Sequence, residues 1–121
     1  MGFLLVFTGG GLGSLLRYGL SILLQSSGRS LPLATLSVNL VGCFLLGCLV
    51  ASPMLSDRLS EPVRVGLGTG FLGGFTTFST FGVESIKLFQ NGEILVLTCY
   101  TAASVIGGFL AAYLGIRLVS C

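Results

Sequence analysis

Apolar residues run along this chain in four long stretches, and short clusters of polar and charged residues separate them. Each stretch is long enough to cross a bilayer, which takes about 20 residues as a helix. The pattern predicts spans at about 2–24, 32–52, 63–88 and 93–117. Because these helices fill nearly the whole chain, we expect a single all-α membrane domain over residues 1–121, with no soluble head.

The third stretch differs from the others because a polar and aromatic segment interrupts it. Residues 73–81 read Gly-Gly-Phe-Thr-Thr-Phe-Ser-Thr-Phe. Adjacent glycines weaken a helix, and Ser and Thr hydroxyls compete with the helical ladder for backbone groups. We therefore predict that the third helix is broken near residues 73–81, where its freed backbone groups face a cavity, protein or an ion.

Small residues recur four positions apart in the first and third stretches. They are Gly9 and Gly13 in the first and Gly66, Gly70 and Gly74 in the third. Such spacing lets helix backbones approach closely in lipid, so we predict tight packing along these faces. Arg17 continues the first stripe and is expected near the far interface. There it either extends its side chain to the headgroups or places a cation at the mouth of an anion pathway.

Composition narrows the class of protein. The chain is 53% apolar and 8% charged, against about 25% charged residues in a typical soluble protein. The net charge of +2 comes without a basic stripe, which excludes a nucleic-acid partner. With no histidine, the chain cannot assemble the usual zinc ligands, and its hydroxyls lack an evident base, so an enzyme is disfavoured. The cysteines show no Cys-x-x-Cys spacing, and we expect them to be small buried apolar residues.

Lysines and arginines are nearly balanced between the two sides of the predicted bundle. One side carries Arg58, Arg64 and Arg117, and the other carries Arg29 and Lys87, with Arg17 near it. An excess of these residues on one side normally fixes the orientation of a membrane protein. We therefore expect the chain to insert both ways up and to form an antiparallel, dual-topology homodimer.

The polar residues predicted at mid-membrane are uncharged, and nearly all of them can donate a hydrogen bond. They are Thr35, Asn39, Thr76, Thr77, Ser79, Thr80, Tyr100 and Ser104. Donors without fixed charge suit an anion that must bind and also leave, and the positive ring edges of Phe78 and Phe81 add weak contacts. Hydrogen bonding between helices is the alternative role for Asn39 and for the stripe of Tyr100 and Ser104.

Charged residues near the end of the third stretch point away from a proton-coupled mechanism. Glu84 and Lys87 lie three residues apart and are interpreted as a surface ion pair. No acid is then expected at mid-depth, where a proton-coupled exporter of organic cations would need one.

The chain resembles the fluoride ion channel family, known as CrcB or Fluc, along nearly its whole length. The resemblance rests on Gly9-Gly10-Gly11 with Arg17-Tyr18, on Thr35 to Asn39 followed by Gly42, Phe44 and Gly47, and on residues 73–81. It implies an antiparallel homodimer with two fluoride-selective pores in the plasma (inner) membrane of a prokaryote. Passive export through these pores would lower cytoplasmic fluoride. A small cation or drug exporter and a non-transporting membrane subunit remain the alternatives.

The resemblance also implies residue roles. Phe78 and Phe81 would line the pores, with Asn39, Ser79 and Thr80 along the route and Thr35 in the same set. The backbone carbonyls of Gly73 and Thr76 would hold a structural sodium ion at the dimer axis. Tyr100 and Ser104 match a shorter pattern, and Arg17 and Glu84 match positions near the pore. One departure is Ala34, where the family usually has glycine.

Overall fold

The computed structural model describes residues 1–25 and 31–121. The helices are α1 Gly2–Leu24, α2 Leu33–Ala51, α3 Pro53–Arg58, α4 Glu61–Val65, α5 Gly73–Phe75, α6 Phe78–Gln90 and α7 Ile94–Ser120, with a π-helical segment, Gly66–Leu72, between α4 and α5. The predicted all-α class is confirmed. Residues 26–30, which include Arg29 of the predicted polar link, lie outside the described residues.

Helices α1, α2 and α7 are long and apolar enough to cross a membrane. Their bounds agree with the predicted spans to within a few residues, since α2 covers Leu33–Ala51 and α7 covers Ile94–Ser120. Large apolar side chains point outward along them, and Phe3 is 95% exposed. A continuous apolar exterior of this kind is suited to lipid rather than water, so the chain is a membrane protein.

The third predicted span is a helix in two halves, which we call the broken helix. Its first half, residues 61–75, runs through α4, the π-helical segment and α5, and its second half is α6. Between them Thr76 and Thr77 are extended, with φ/ψ of −86/159° and −154/124°. We call these two residues the break, and they confirm the predicted interruption.

The connection between α2 and the broken helix is more ordered than the sequence pattern predicts. We expect a solvated loop across residues 52–62, whereas Pro53–Arg58 forms a short helix. The Leu55 N–H donates to the Ser52 Oγ at 3.3 Å, which caps this helix. Pro53 occupies the first turn, where its missing N–H costs nothing.

Two close helix pairings hold the chain together. α1 packs against the first half of the broken helix, and α2 packs against α7. A Cβ added to Gly13 would meet the Phe71 carbonyl oxygen, and one added to Gly47 would meet the carbonyl oxygen of Ala112. The predicted glycine faces are confirmed, with Gly66 against Leu5, Gly70 against Val6 and Gly74 against Gly10. Both pairings therefore bring backbones to the distance that only glycine allows.

The cysteines differ from the prediction of small buried residues. Cys43 and Cys48 are partly exposed, and Cys99 and Cys121 are exposed. The predicted burial is therefore wrong for Cys99, which is exposed on α7, and for Cys121, which follows the end of that helix.

Candidate functional site

Asn39 of α2 holds the break in its extended form. Its Nδ2 donates to the Thr77 carbonyl at 3.0 Å, and its Oδ1 accepts the Thr77 N–H at 2.9 Å. These two bonds replace the helical partners that an extended residue loses. Bonding between helices is therefore one role of Asn39. Its amide carries a second N–H, which the Thr77 carbonyl does not use.

The hydroxyls of the break form a cluster at the start of α6. The Thr77 Oγ1 accepts the Thr80 N–H at 3.2 Å and so caps the helix. The same oxygen lies 3.1 Å from Thr80 Oγ1 and 3.3 Å from Ser79 Oγ. A helix N-terminus carries a partial positive charge and free N–H groups. Ser79 and Thr80, both predicted along an anion route, lie at this N-terminus.

Carbonyl groups on the other side of the break have lost their helical donors. A continuous helix would pair the Gly73 carbonyl with the Thr77 N–H, and the Thr76 carbonyl with the Thr80 N–H. The Asn39 side chain takes the first of these N–H groups and the Thr77 hydroxyl takes the second. The Gly73 and Thr76 oxygens are thus left to other partners. Unwound backbone carbonyls of this kind coordinate sodium in membrane proteins.

A groove joins these groups to the predicted aromatic route. It has a volume of about 490 Å³, and its walls include Asn39, Gly73, Thr76, Phe78, Phe81 and Ser104. We call it the aromatic groove. The ring centroids of Phe78 and Phe81 are 5.7 Å apart, with the rings tilted by 43°. The ring centroids of Phe81 and Tyr100 are 5.1 Å apart. Phe78 is 81% exposed, so one chain leaves the groove open on that side.

Ser104 adds a polar atom to the opposite wall of the aromatic groove. Its Oγ is buried, and within residues 1–25 and 31–121 it has no hydrogen-bond partner. A buried hydroxyl without a partner is costly. Ser104 therefore offers its hydroxyl to a ligand in the groove only if the side chain turns towards it.

Glu84 is not part of the predicted surface ion pair with Lys87. Its Oε1 accepts from the Thr35 hydroxyl at 2.9 Å, and its Oε2 accepts from the Tyr100 hydroxyl at 2.7 Å. Thr35 and Tyr100 are buried, so the carboxylate bridges α2 and α7 from α6. The prediction is wrong because spacing along one helix cannot show that the acid turns towards two neighbouring helices.

This arrangement also gives two of the predicted route hydroxyls a partner. Because Thr35 and Tyr100 donate their protons to Glu84, these protons are not free for an anion in this structure. A second groove, of about 180 Å³, is lined by Thr35, Thr80 and Glu84. Of the predicted site residues, Asn39, Phe78, Phe81 and Ser104 line the aromatic groove, and Thr35, Thr80 and Glu84 line this smaller one. Ser79, Tyr100 and Arg17 are not among the residues that line either groove.

Arg17 lies beside the break. Its Nε donates to the Gly74 carbonyl at 3.1 Å, and the side chain is partly buried. Ser14, one turn earlier, donates to the same oxygen at 3.4 Å. Sequence reasoning missed Ser14, although its spacing from Arg17 places both residues on one face of α1.

Gly42 is the other residue that sequence reasoning did not assign to the site. A Cβ at this position would meet Cγ2 of Thr76. The sequence could have indicated this role, because Gly42 follows Asn39 by three residues. That spacing puts both residues on the face of α2 that meets the break.

Comparison with known proteins extends over nearly the whole chain. A family model described as CrcB-like protein, Camphor Resistance (CrcB), matches residues 4–116. The fluoride-specific ion channel FluC of Chlorobium phaeobacteroides is 49% identical over 113 residues, covering 93% of this chain and 88% of that protein. FluC 2 of Listeria innocua is 43% identical over 117 residues, covering 97% and 89%.

A third relative extends the match to another bacterial group. FluC of Chloroflexus aurantiacus is 43% identical over 116 residues, covering 95% of this chain and 92% of that protein. Since the family model and these relatives match from the first helix to the last, the chain belongs to the CrcB family.

Proposed function

We propose that this protein is a fluoride-selective channel that lets fluoride leave the cytoplasm passively across the plasma (inner) membrane. The observation that carries the proposal is the break, because it places the capped N-terminus of α6, at Thr77 and Phe78, along the aromatic groove beside Asn39. The relatives named as fluoride-specific ion channels, 43–49% identical to this chain, support the same ion.

Fluoride is small and strongly hydrated, so a pore must replace its lost water with several close partners. The N-terminus of α6 supplies N–H groups and partial positive charge. Ser79 and Thr80 supply hydroxyls, Ser104 and Asn39 add groups on the facing walls, and the Phe78 and Phe81 ring edges carry positive potential. None of these groups is a fixed cation, so a bound fluoride can also leave.

A second copy in the opposite orientation completes the route. Phe78, at 81% exposure, and the open aromatic groove need a covering surface. In this arrangement the broken helix is the fourth membrane span, and two inverted chains form an antiparallel homodimer with two pores. The near balance of lysines and arginines supports insertion in both orientations.

We assign a structural sodium ion to the dimer axis, held by the carbonyls of Gly73 and Thr76 from both copies. The fit rests on the loss of helical donors to both oxygens. Gly73 is also exposed in the single chain, so its carbonyl can reach a partner copy. A bound cation would supply positive charge at mid-membrane and stabilise the two breaks together.

Glu84 is the one observation that favours another function. A carboxylate turned inward between helices is the group that a proton-coupled cation exporter needs. The fluoride channel is preferred because the groups lining the aromatic groove carry no negative charge.

The deciding experiment measures ion flux from vesicles that contain the purified protein. Vesicles loaded with fluoride should empty rapidly when an ionophore balances the charge, while chloride-loaded vesicles should not. Phe78→Ala and Asn39→Ala should abolish or sharply reduce the flux, whereas Phe89→Ala, at an outward position on α6, should not. Proton-driven uptake of a lipophilic cation would establish the exporter instead, and an absence of any flux would favour a non-transporting subunit.

A further inference from the structure

The stripe of Gly9, Gly13 and Arg17 on α1 fits against the first half of the broken helix. A Cβ on Gly9 would meet the Gly66 carbonyl oxygen, and one on Gly13 would meet that of Phe71. The two backbones therefore touch along the glycines. One turn further, Arg17 Nε reaches the Gly74 carbonyl at 3.1 Å. The glycines thus set the distance at which the arginine donates this bond.

We propose that Arg17 is a positioning residue whose Nε–H holds the Gly74 carbonyl on the α1 side of the break. A continuous helix would pair this carbonyl with the N–H of Phe78, across the break. Gly73 and Gly74 have wide conformational freedom, so the peptide needs external bonds to keep one orientation. Arg17 supplies the shorter of the two that the Gly74 carbonyl accepts, at 3.1 Å against 3.4 Å from the Ser14 hydroxyl. That orientation fixes where the neighbouring Gly73 and Thr76 carbonyls point, and the inference therefore rests on the proposed function.

The competing role is electrostatic, with the Arg17 charge drawing anions towards the route. The two roles depend on different atoms of one side chain. In glutamine the Nε2 follows Cδ, as Nε does in arginine, so Arg17→Gln keeps a donor near the Gly74 carbonyl and removes the charge. In lysine a CH₂ group occupies that place and the charge lies one atom further out, so Arg17→Lys keeps the charge and loses the donor there.

The experiment compares both variants with wild type in the vesicle flux assay and by thermal unfolding of the purified protein in sodium and in potassium buffer. Arg17→Gln should retain fluoride efflux within about threefold and keep the extra stability that sodium gives. Arg17→Lys should lose about tenfold or more, as expected when one charge-assisted hydrogen bond is removed, and should lose the sodium effect. Arg117→Gln and Arg117→Lys, at an exposed position on α7, serve as matched controls and should change neither quantity.

Several outcomes would overturn the positioning role. Arg17→Lys at wild-type rates with a slow Arg17→Gln, most clearly at low ionic strength, would establish the electrostatic role. Equal rates in the two variants, whether normal or reduced, would also refute it. If Arg17→Lys alone fails to assemble, the bond is needed to form the break, which supports the proposal. If wild type passes no fluoride, the proposed function fails, and the unfolding comparison still decides the role of Arg17.

Discussion

At the scale of single residues, the break depends on a side chain that both donates and accepts. Asn39 meets the Thr77 carbonyl with its NH₂ group and the Thr77 N–H with its oxygen. Aspartate would offer only acceptors at neutral pH, and an apolar residue would offer neither. The asparagine at this position therefore follows from the two backbone groups that the extended residue exposes.

Asn39→Ala should destabilise the fold as well as stop fluoride flux. The change leaves the Thr77 N–H and carbonyl without these partners, at a cost of about 1–3 kcal/mol for each buried group that stays unpaired. The measurements are thermal unfolding of the purified protein and fluoride efflux from vesicles. Ser37→Ala, at an exposed position on the same helix, is the control. Equal unfolding temperatures and flux in the two variants would contradict the role given to Asn39.

The sequence predicts which residues of this site are polar, but not which groups they bond. We expect Thr35 and Tyr100 as donors along the route, and in the structure both donate to Glu84. The position of that carboxylate depends on how α6 packs between α2 and α7. Spacing along one helix carries no information about such a contact, so the donors could be predicted and their partners could not.

At the scale of elements, the break separates two helix ends of opposite polarity. The first half ends in carbonyls that have lost their donors, and α6 begins with N–H groups and a Thr77 cap. Carbonyl ends favour cations and N–H ends favour anions. The break therefore has the polarity that the proposed sodium ion and the proposed fluoride route each require.

The position of the interruption is only partly predictable. Two glycines and four hydroxyl residues indicate a break within residues 73–81, but the extended pair is Thr76 and Thr77 because Asn39 pairs with the second of them. The π-helical segment, Gly66–Leu72, is not predicted, because its wider turn accompanies packing against α1 that no local pattern reveals.

Thr77→Ala should weaken the start of α6. Loss of the cap leaves the Thr80 N–H without its acceptor and costs about 1 kcal/mol. A lower unfolding temperature and reduced flux are expected, together with faster hydrogen exchange at the Thr80 amide. Thr77→Ser keeps an acceptor oxygen and should restore both stability and exchange protection. A serine variant no better than the alanine variant would show that the cap is not the relevant interaction.

Gly13→Ala should disturb the pairing of α1 with the broken helix. The added Cβ would meet the Phe71 carbonyl oxygen, which is backbone and cannot move aside cheaply, and overpacking of this kind costs about 1–3 kcal/mol. Gly11→Ala is the matched control, because nothing lies within 4 Å of a Cβ there. In thermal unfolding, the Gly13→Ala protein should have a lower unfolding temperature than the Gly11→Ala protein. A Gly11→Ala protein as unstable as Gly13→Ala would point to helix propensity rather than contact.

At the scale of the whole molecule, a single chain leaves the aromatic groove open on one side. Phe78 is 81% exposed beside a groove that holds Asn39 and the predicted sodium ligands. A cation bound to two carbonyls alone would lack coordination, whereas two copies related by a two-fold axis would double the number of oxygens. The balanced charges of the sequence favour the proposed antiparallel pair, although they do not indicate which faces would meet.

The proposed insertion in two orientations predicts complementation between chains of opposite charge bias. Asp57→Lys with Met54→Lys adds lysines on one side, and Gln90→Lys with Asn91→Lys adds them on the other, all at exposed positions. Each pair should drive its chain into one orientation, because lysine excess fixes topology. Either variant expressed alone would then lack an inverted partner and should give no fluoride flux, whereas co-expression should restore it. Uncharged substitutions at the same positions, Asp57→Gln with Met54→Gln and Gln90→Asn with Asn91→Gln, should leave flux intact, which controls for damage to the loops. Full flux from a single biased variant with its termini on one side of the membrane would rule out the antiparallel dimer, because both copies would then face the same way.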